Sequence, residues 1–201
     1  GAYFHDIGKL KRPLFFIENQ FSDENPHHAL SPRMSKLIIA SHPKDGVDMA
    51  VKHKLPKVLQ DIMLQHHGTS LVSFFFQQAQ KTEEHTDPED VSKEEFRYLG
   101  PKPLFKESGI IMLADSVEAS VRSLQKPTLP KIENLINRIF QEKLEDQQLD
   151  LCPLTFQDIH TIKSSFLQIF RGIYHNRVDY NDELNSLISD DKKPDPSENI
   201  S

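Results

Sequence analysis

Apolar residues recur along this chain at three- and four-residue spacing, and no alternating apolar and polar run of useful length interrupts them. That period predicts an all-α fold, a helical bundle. Ser31 and Pro32 supply an N-cap with proline at the first helical position, and Leu37, Ile38 and Ile39 lead on to His42, where Pro43 is expected to close the helix. A short helix to about His53 follows. From Pro56, the stripe of Val58, Leu59, Ile62 and Met63 predicts a helix that ends at His66 and His67, with Gly68 as its stop. Leu71 to Ala79 reads as an aromatic, buried run. Glu107 to Leu124, Ile132 to Leu144 and Phe156 to Tyr174 read as amphipathic helices, the last opened by Thr155 with Asp158 at capping-box spacing.

A chain of 201 residues, 37% hydrophobic, is long enough to form one substantial core, burying roughly 70% of its unfolded surface. It must rely on that core, because a single cysteine, Cys152, forms neither an internal disulfide nor a thiolate zinc cluster, which also points to a reducing, cytoplasmic compartment. Twenty-four Lys and Arg against 30 Asp and Glu give a net charge of -6, the wrong sign for a protein that coats DNA, RNA or anionic lipid nonspecifically. No apolar run approaches the roughly 20 residues of a membrane-spanning helix. The sequence enters directly on Gly1-Ala2-Tyr3-Phe4-His5-Asp6, as expected for a domain cut from a larger protein. Its organisation reads as one domain over residues 1–180 with an exposed charged loop near 81–95, then an acidic disordered tail over 181–201.

Six residues carry the chemistry: His5 beside Asp6, His42 at a helix end, the pair His66 and His67 at another, and Asp115 inside a third. Each histidine alone reads as a helix-end residue favoured by the dipole. Together, imidazoles and carboxylates suit Mn, Fe, Zn or Ni better than Ca or Mg. Adjacent helical residues project about 100° apart, so His66 and His67 are not expected to bind one ion side by side: one is a ligand, and the other stands behind it or faces a substrate. Asp115 sits among Ile110, Met112, Leu113 and Ala114, where an unpartnered carboxylate is costly, so a metal or another cation is expected beside it. Glu118 and Arg122, at i and i+4, are expected to pair.

The series His5-Asp6-Ile7-Gly8-Lys9, His42, His66-His67-Gly68-Thr69 and Asp115 resembles the HD-domain metal-dependent phosphohydrolases, an all-helical superfamily. Further stretches are similar to the cytoplasmic HD domain of the seven-transmembrane HD family, whose members hydrolyse cyclic di-AMP. These are Asn25-Pro26-His27, Leu30-Ser31-Pro32, Ser41 to Gly46, Arg97-Tyr98, Gly100 to Pro103, Met112 to Ala119 and Pro153-Leu154-Thr155. Two features depart from that pattern. The family's first metal-binding histidine lies upstream of its His-Asp pair, beyond the residues present here, and Phe74-Phe75-Phe76 stand where relatives commonly carry a tyrosine.

The resemblance implies two divalent transition-metal ions, Mn or Fe, with Asp6 bridging them, His5 and Asp115 on the first, His42 and His66 on the second, and His67 as an additional ligand. It implies a phosphodiesterase that turns cyclic di-AMP into pApA through a metal-activated hydroxide, with Asp6 and Lys9 catalytic and with Lys9, Arg97 and Tyr98 on the substrate. Lys9, Arg97 and Tyr98 also have plain readings, a surface lysine and a structural turn. The expected partner is a cyclic dinucleotide and no nucleic-acid polymer, and the membrane is reached only through segments outside this chain, in a bacterial membrane protein. Other readings stay open: an HD enzyme for cyclic di-GMP, an alarmone or a nucleotide, or a nucleotide-sensing module without turnover. Ile7-Gly8-Lys9-Leu10 stands where alarmone hydrolases carry Glu-Asp, and the Gly-Tyr-Pro hallmark of cyclic di-GMP enzymes is missing.

Overall fold

The computed structural model describes residues 1–20, 25–82 and 91–190. Six α-helices make up most of them: α1 (Pro32–Lys52), α2 (Lys57–Gln65), α3 (Ser73–Thr82), α4 (Lys106–Arg122), α5 (Leu129–Glu145) and α6 (Phe156–Asp190). Short 3-10 turns at Ile7–Lys11, Pro13–Phe15, Ile17–Asn19 and Pro26–Ala29 precede them, and another, Lys93–Phe96, lies between α3 and α4. Among the described residues, β pairing is limited to one bridge between Leu71 and Arg97. No helix among them is long and apolar enough to cross a membrane.

Two apolar clusters hold the bundle. The larger joins Met112, Leu113, Val117 and Val121 of α4 to Ile132, Ile136, Ile139 and Phe140 of α5 and Ile162 of α6. The smaller gathers Phe75, Phe76 and Ala79 of α3 with Val91 and Phe96. Phe74, read as part of the buried run, is 70% exposed, because consecutive helical residues cannot all face one side.

The expected caps form. Ser31 Oγ accepts from the Met34 amide, and Thr155 and Asp158 exchange hydrogen bonds as a capping box. Gly68 takes φ +54°, a conformation that favours glycine. Glu118 and Arg122 pair at 3.7 Å.

Three boundaries differ from expectation. The helix does not end at Pro43: α1 runs through it to Lys52. Proline lacks the N–H that would bond the carbonyl four residues back, and that carbonyl, on Ile39, accepts from the His42 ring instead, so no backbone group is left orphaned. At the other end, α6 continues past Tyr174 through 181–190, the first half of the stretch expected to be a disordered tail. Neither Pro nor Gly occurs between Gly172 and Pro194 to stop it; residues 191–201 lie outside the described residues. Of the expected loop 81–95, residues 83–90 also lie outside them, while α3 reaches Thr82 and Val91 is buried.

Candidate metal centre

The His5-Asp6 segment lies against the middle of α1, and glycine permits the approach. A Cβ on Gly8 would stand 1.9 Å from the His42 carbonyl oxygen and 2.5 Å from the Gly46 amide nitrogen. Asp45, one turn along α1 from Ser41, fastens the following turn: its carboxylate accepts from Lys11 Nζ at 2.6 Å, Arg12 Nη1 at 3.0 Å and Ser41 Oγ at 3.0 Å. His27, buried, holds the same N-terminal segment through its Nε2 contact of 2.9 Å with the Phe15 carbonyl. These contacts bring the His-Asp pair to α1, while α2 delivers His66 and His67 at its C-terminal end and α4 delivers Asp115.

Three histidines are oriented by one device. His5 Nδ1 lies 2.7 Å from the Ala2 carbonyl, His42 Nδ1 2.7 Å from that of Ile39, and His66 Nδ1 2.7 Å from that of Met63. A carbonyl only accepts, so each Nδ1 carries a proton, and Nε2 presents a lone pair wherever the ring is neutral. In every case the acceptor lies three residues earlier, at a helix end, a turn or a proline.

Those lone pairs converge. His42 Nε2 stands 3.2 Å from His66 Nε2 and 3.1 Å from His67 Nε2. Asp6 Oδ1 lies 3.2 Å from His42 Nε2 and 3.5 Å from His66 Nε2. Asp6 Oδ2 faces His5 Nε2 at 3.2 Å, which in turn lies 3.7 Å from Asp115 Oδ1. Two donor groups result, Asp6 with His42, His66 and His67, and His5 with Asp6 and Asp115, each with its ligand atoms within 4.8 Å of one another and with Asp6 in both.

The set fits divalent metal. Buried His5 Nε2 and Asp6 Oδ1 have no hydrogen-bond partner, a state that a protein interior tolerates poorly. The Nε2 atoms of His42 and His66, each left as an acceptor by its Nδ1 bond, face one another at 3.2 Å and need a cation between them. His67 joins the cluster although it adjoins His66: it lies beyond the last residue of α2, Gln65, where the chain turns toward Gly68, so the 100° projection of a regular helix does not apply.

Electrostatics follow the same geometry. Burial pushes the pKa of His66 down, and burial together with the neighbouring His66 and His42 pushes that of His67 well down, so both rings are held neutral as metal ligands require. Burial also opposes charge on His5, but Asp115 and Asp6 outweigh it and push its pKa up to about 10 in the metal-free protein. Asp6 is held below the usual carboxylate range, its burial outweighed by the cationic His5 and Lys9 beside it.

The remaining expected site residues divide. Lys9 Nζ reaches Asp6 Oδ2 and Glu18 Oε1, both at 2.6 Å, so it adjoins the cluster. Tyr98 stacks on His67 with ring centroids 4.2 Å apart at 20°. Arg97 is engaged elsewhere: it makes a bidentate pair with Asp146 at 2.7 and 3.0 Å and donates to the Thr69 carbonyl at 2.8 Å. Gln148, almost fully buried, completes that clamp by accepting from the Thr69 amide at 2.8 Å and donating to Asp146.

Sequence reasoning passed over Gln148 and Lys143. Gln148 gives no local signal, since its partners are remote in sequence. Lys143 does give one: it extends the buried stripe of Ile132, Ile136, Ile139 and Phe140 at helical spacing, and its Nζ donates to Ser70 Oγ at 2.7 Å.

Comparison with known proteins agrees with this geometry. A family model described as the HD domain matches residues 1–120. The cyclic-di-AMP phosphodiesterase PgpH of Bacillus subtilis (strain 168) is 49% identical over 180 residues, covering 90% of this chain and 25% of the relative. The cyclic-di-AMP phosphodiesterase PgpH of Listeria monocytogenes serotype 1/2a (strain 10403S) is 43% identical over 183 residues, covering 91% and 25%. The chain therefore spans about a quarter of the length of these curated relatives. The crystal structure of the L. monocytogenes PgpH HD domain in complex with cyclic-di-AMP superimposes with a TM-score of 0.80 at 43% identity, covering 86% of this chain and 78% of that one.

Proposed function

This chain belongs to the HD-domain family, and on that premise we propose that it is the catalytic domain of a phosphodiesterase that hydrolyses cyclic di-AMP to pApA. The observation that carries the reading is the convergence of acceptor atoms from His5, Asp6, His42, His66, His67 and Asp115 into two groups sharing Asp6. Relatives more than 40% identical to it over nine-tenths of its length are named for this activity, and the HD domain of one was crystallised with cyclic di-AMP. On this reading residues 1–180 form the catalytic domain, carried on the cytoplasmic side of a bacterial membrane protein by segments outside this chain.

The proposed ligand sets are His5, Asp6 and Asp115 for one ion and Asp6, His42, His66 and His67 for the other, with Mn or Fe as the native metal. Bound there, the ions supply Lewis-acid chemistry, lowering the pKa of water and drawing charge from the phosphoryl oxygens. The protein's own share is positional. Ala2, Ile39 and Met63 carbonyls hold three imidazoles with Nε2 directed inward, which fixes the ligands before substrate arrives. Lys9, anchored between Asp6 and Glu18, offers its ammonium to a phosphoryl oxygen beside Asp6. Tyr98, packed on His67, offers an aromatic face to a purine at the rim of the centre.

Chelated protein reconstituted with Mn or Fe tests this directly, with chromatography of the products. Appearance of pApA from cyclic di-AMP, at a higher kcat/KM than for cyclic di-GMP, is the expected result. A preference for cyclic di-GMP overturns the substrate assignment, and failure to cleave either dinucleotide overturns the reading.

A further inference from the structure

Three cationic side chains surround the metal centre, and their charges are differently committed. Lys9 lies between the Asp6 and Glu18 carboxylates. Arg97 is paired with Asp146 and Glu94. Lys143, half-buried on α5, bonds only the neutral hydroxyl of Ser70, at 2.7 Å, and makes no ion pair among the described residues. An ammonium has three N–H donors, so two of those on Lys143 have no acceptor among the described residues.

Its position ties it to the site. Ser70 ends the turn that begins at His66 and His67, and the Ser70 carbonyl accepts from the Tyr98 amide at 3.0 Å, beside the stacked pair of Tyr98 and His67. Lys143 therefore stands on the His67 and Tyr98 side of the centre, whereas Lys9 stands on the Asp6 side. Burial pulls the Lys143 pKa down, and Asp115 and Asp146 act on it from beyond contact distance. Holding a half-buried ammonium without a carboxylate is unfavourable unless an anion arrives to meet it.

We propose that Lys143 is a substrate-binding residue that takes a phosphate oxygen of the cyclic dinucleotide on the His67 and Tyr98 side, the phosphate that the metal pair does not hold. The inference rests on the reading of this chain as a cyclic dinucleotide phosphodiesterase. A cyclic dinucleotide carries two phosphodiesters in one ring, so a centre that grips one leaves the second needing its own positive partner. A charge-assisted hydrogen bond to phosphate meets that need. Ser70 holds the ammonium in place without neutralising it, as a carboxylate in the same position would.

The test compares two substrates in the full-length, metal-loaded protein: cyclic di-AMP, with two phosphodiesters, and bis(p-nitrophenyl) phosphate, with one. Lys143→Met is expected to lower the ratio of kcat/KM for cyclic di-AMP to that for the single diester by about tenfold or more, mainly through KM, as loss of a charged hydrogen bond implies. Lys143→Arg restores most of the ratio, which a packing role for the lysine stem does not predict. Equal losses on both substrates, or no change in the ratio, overturn the assignment. Failure of wild-type protein to cleave cyclic di-AMP while it cleaves the single diester counts against the underlying substrate reading instead.

Discussion

His42 donates its Nδ1 proton to the Ile39 carbonyl at 2.7 Å, and that carbonyl is available because residue 43, four positions on, is a proline without an N–H. The break in the helical ladder thereby becomes the support of a proposed metal ligand. Support from behind a ligating histidine fixes its tautomer and raises its basicity.

Replacing Pro43 with Ala returns an amide that competes for Ile39. Metal affinity is expected to fall by about tenfold, while the melting temperature of the metal-free protein stays level or rises, because proline inside a helix costs about 3 kcal/mol before compensation. Metal titration and thermal melting check the two signs. A variant that binds metal as tightly as wild type contradicts the role given to the proline.

Gly8→Ala is expected to fail for a different reason. The added Cβ meets backbone, the His42 carbonyl at 1.9 Å and the Gly46 amide at 2.5 Å, and neither can swing away as a side chain would. The His-Asp segment must lift from α1, at a cost of about 1–3 kcal/mol or more. Denaturant unfolding should show that loss, together with weaker metal binding. A variant of unchanged stability contradicts the close packing.

Much of this arrangement was legible in the sequence and part was not, and the division has a physical cause. Signals set by neighbours in sequence read correctly: the Ser31 cap, the capping box of Thr155 and Asp158, the Gly68 stop. Pro43 misled because its missing bond is made good by a side chain, and the helix rule assumes that it is not. Arg97 was expected at the substrate on its place in a motif, and its pairing with Asp146, 49 positions away, is one that no local pattern reveals. Gln148 was invisible for the same reason. The histidines of the proposed centre stood out as an ordered series, while the support of His5, His42 and His66 by backbone carbonyls three residues earlier needed the structure.

The clamp of Arg97 and Asp146 predicts an acid response. Burial favours the neutral form of Asp146, but Arg97 and Gln148 outweigh it and depress the pKa below 3.8. A depressed carboxylate contributes stability above its unfolded pKa and loses it as pH falls through the folded value. Asp146→Asn should therefore destabilise at neutral pH and flatten the decline of stability below about pH 4. Melting curves across that window check it, and a decline as steep as that of wild type contradicts the assignment.

The most direct measurement counts metal ions per chain, by elemental analysis, in wild type and Asp6→Ala after equilibration with Mn or Fe. Asp6 belongs to both donor groups, so its loss removes a ligand from each while leaving the apolar core untouched. The account predicts two ions in the wild type, the tighter at the four-residue group, and loss of both from a variant that still folds. Two ions retained without Asp6 would contradict a shared carboxylate at the centre.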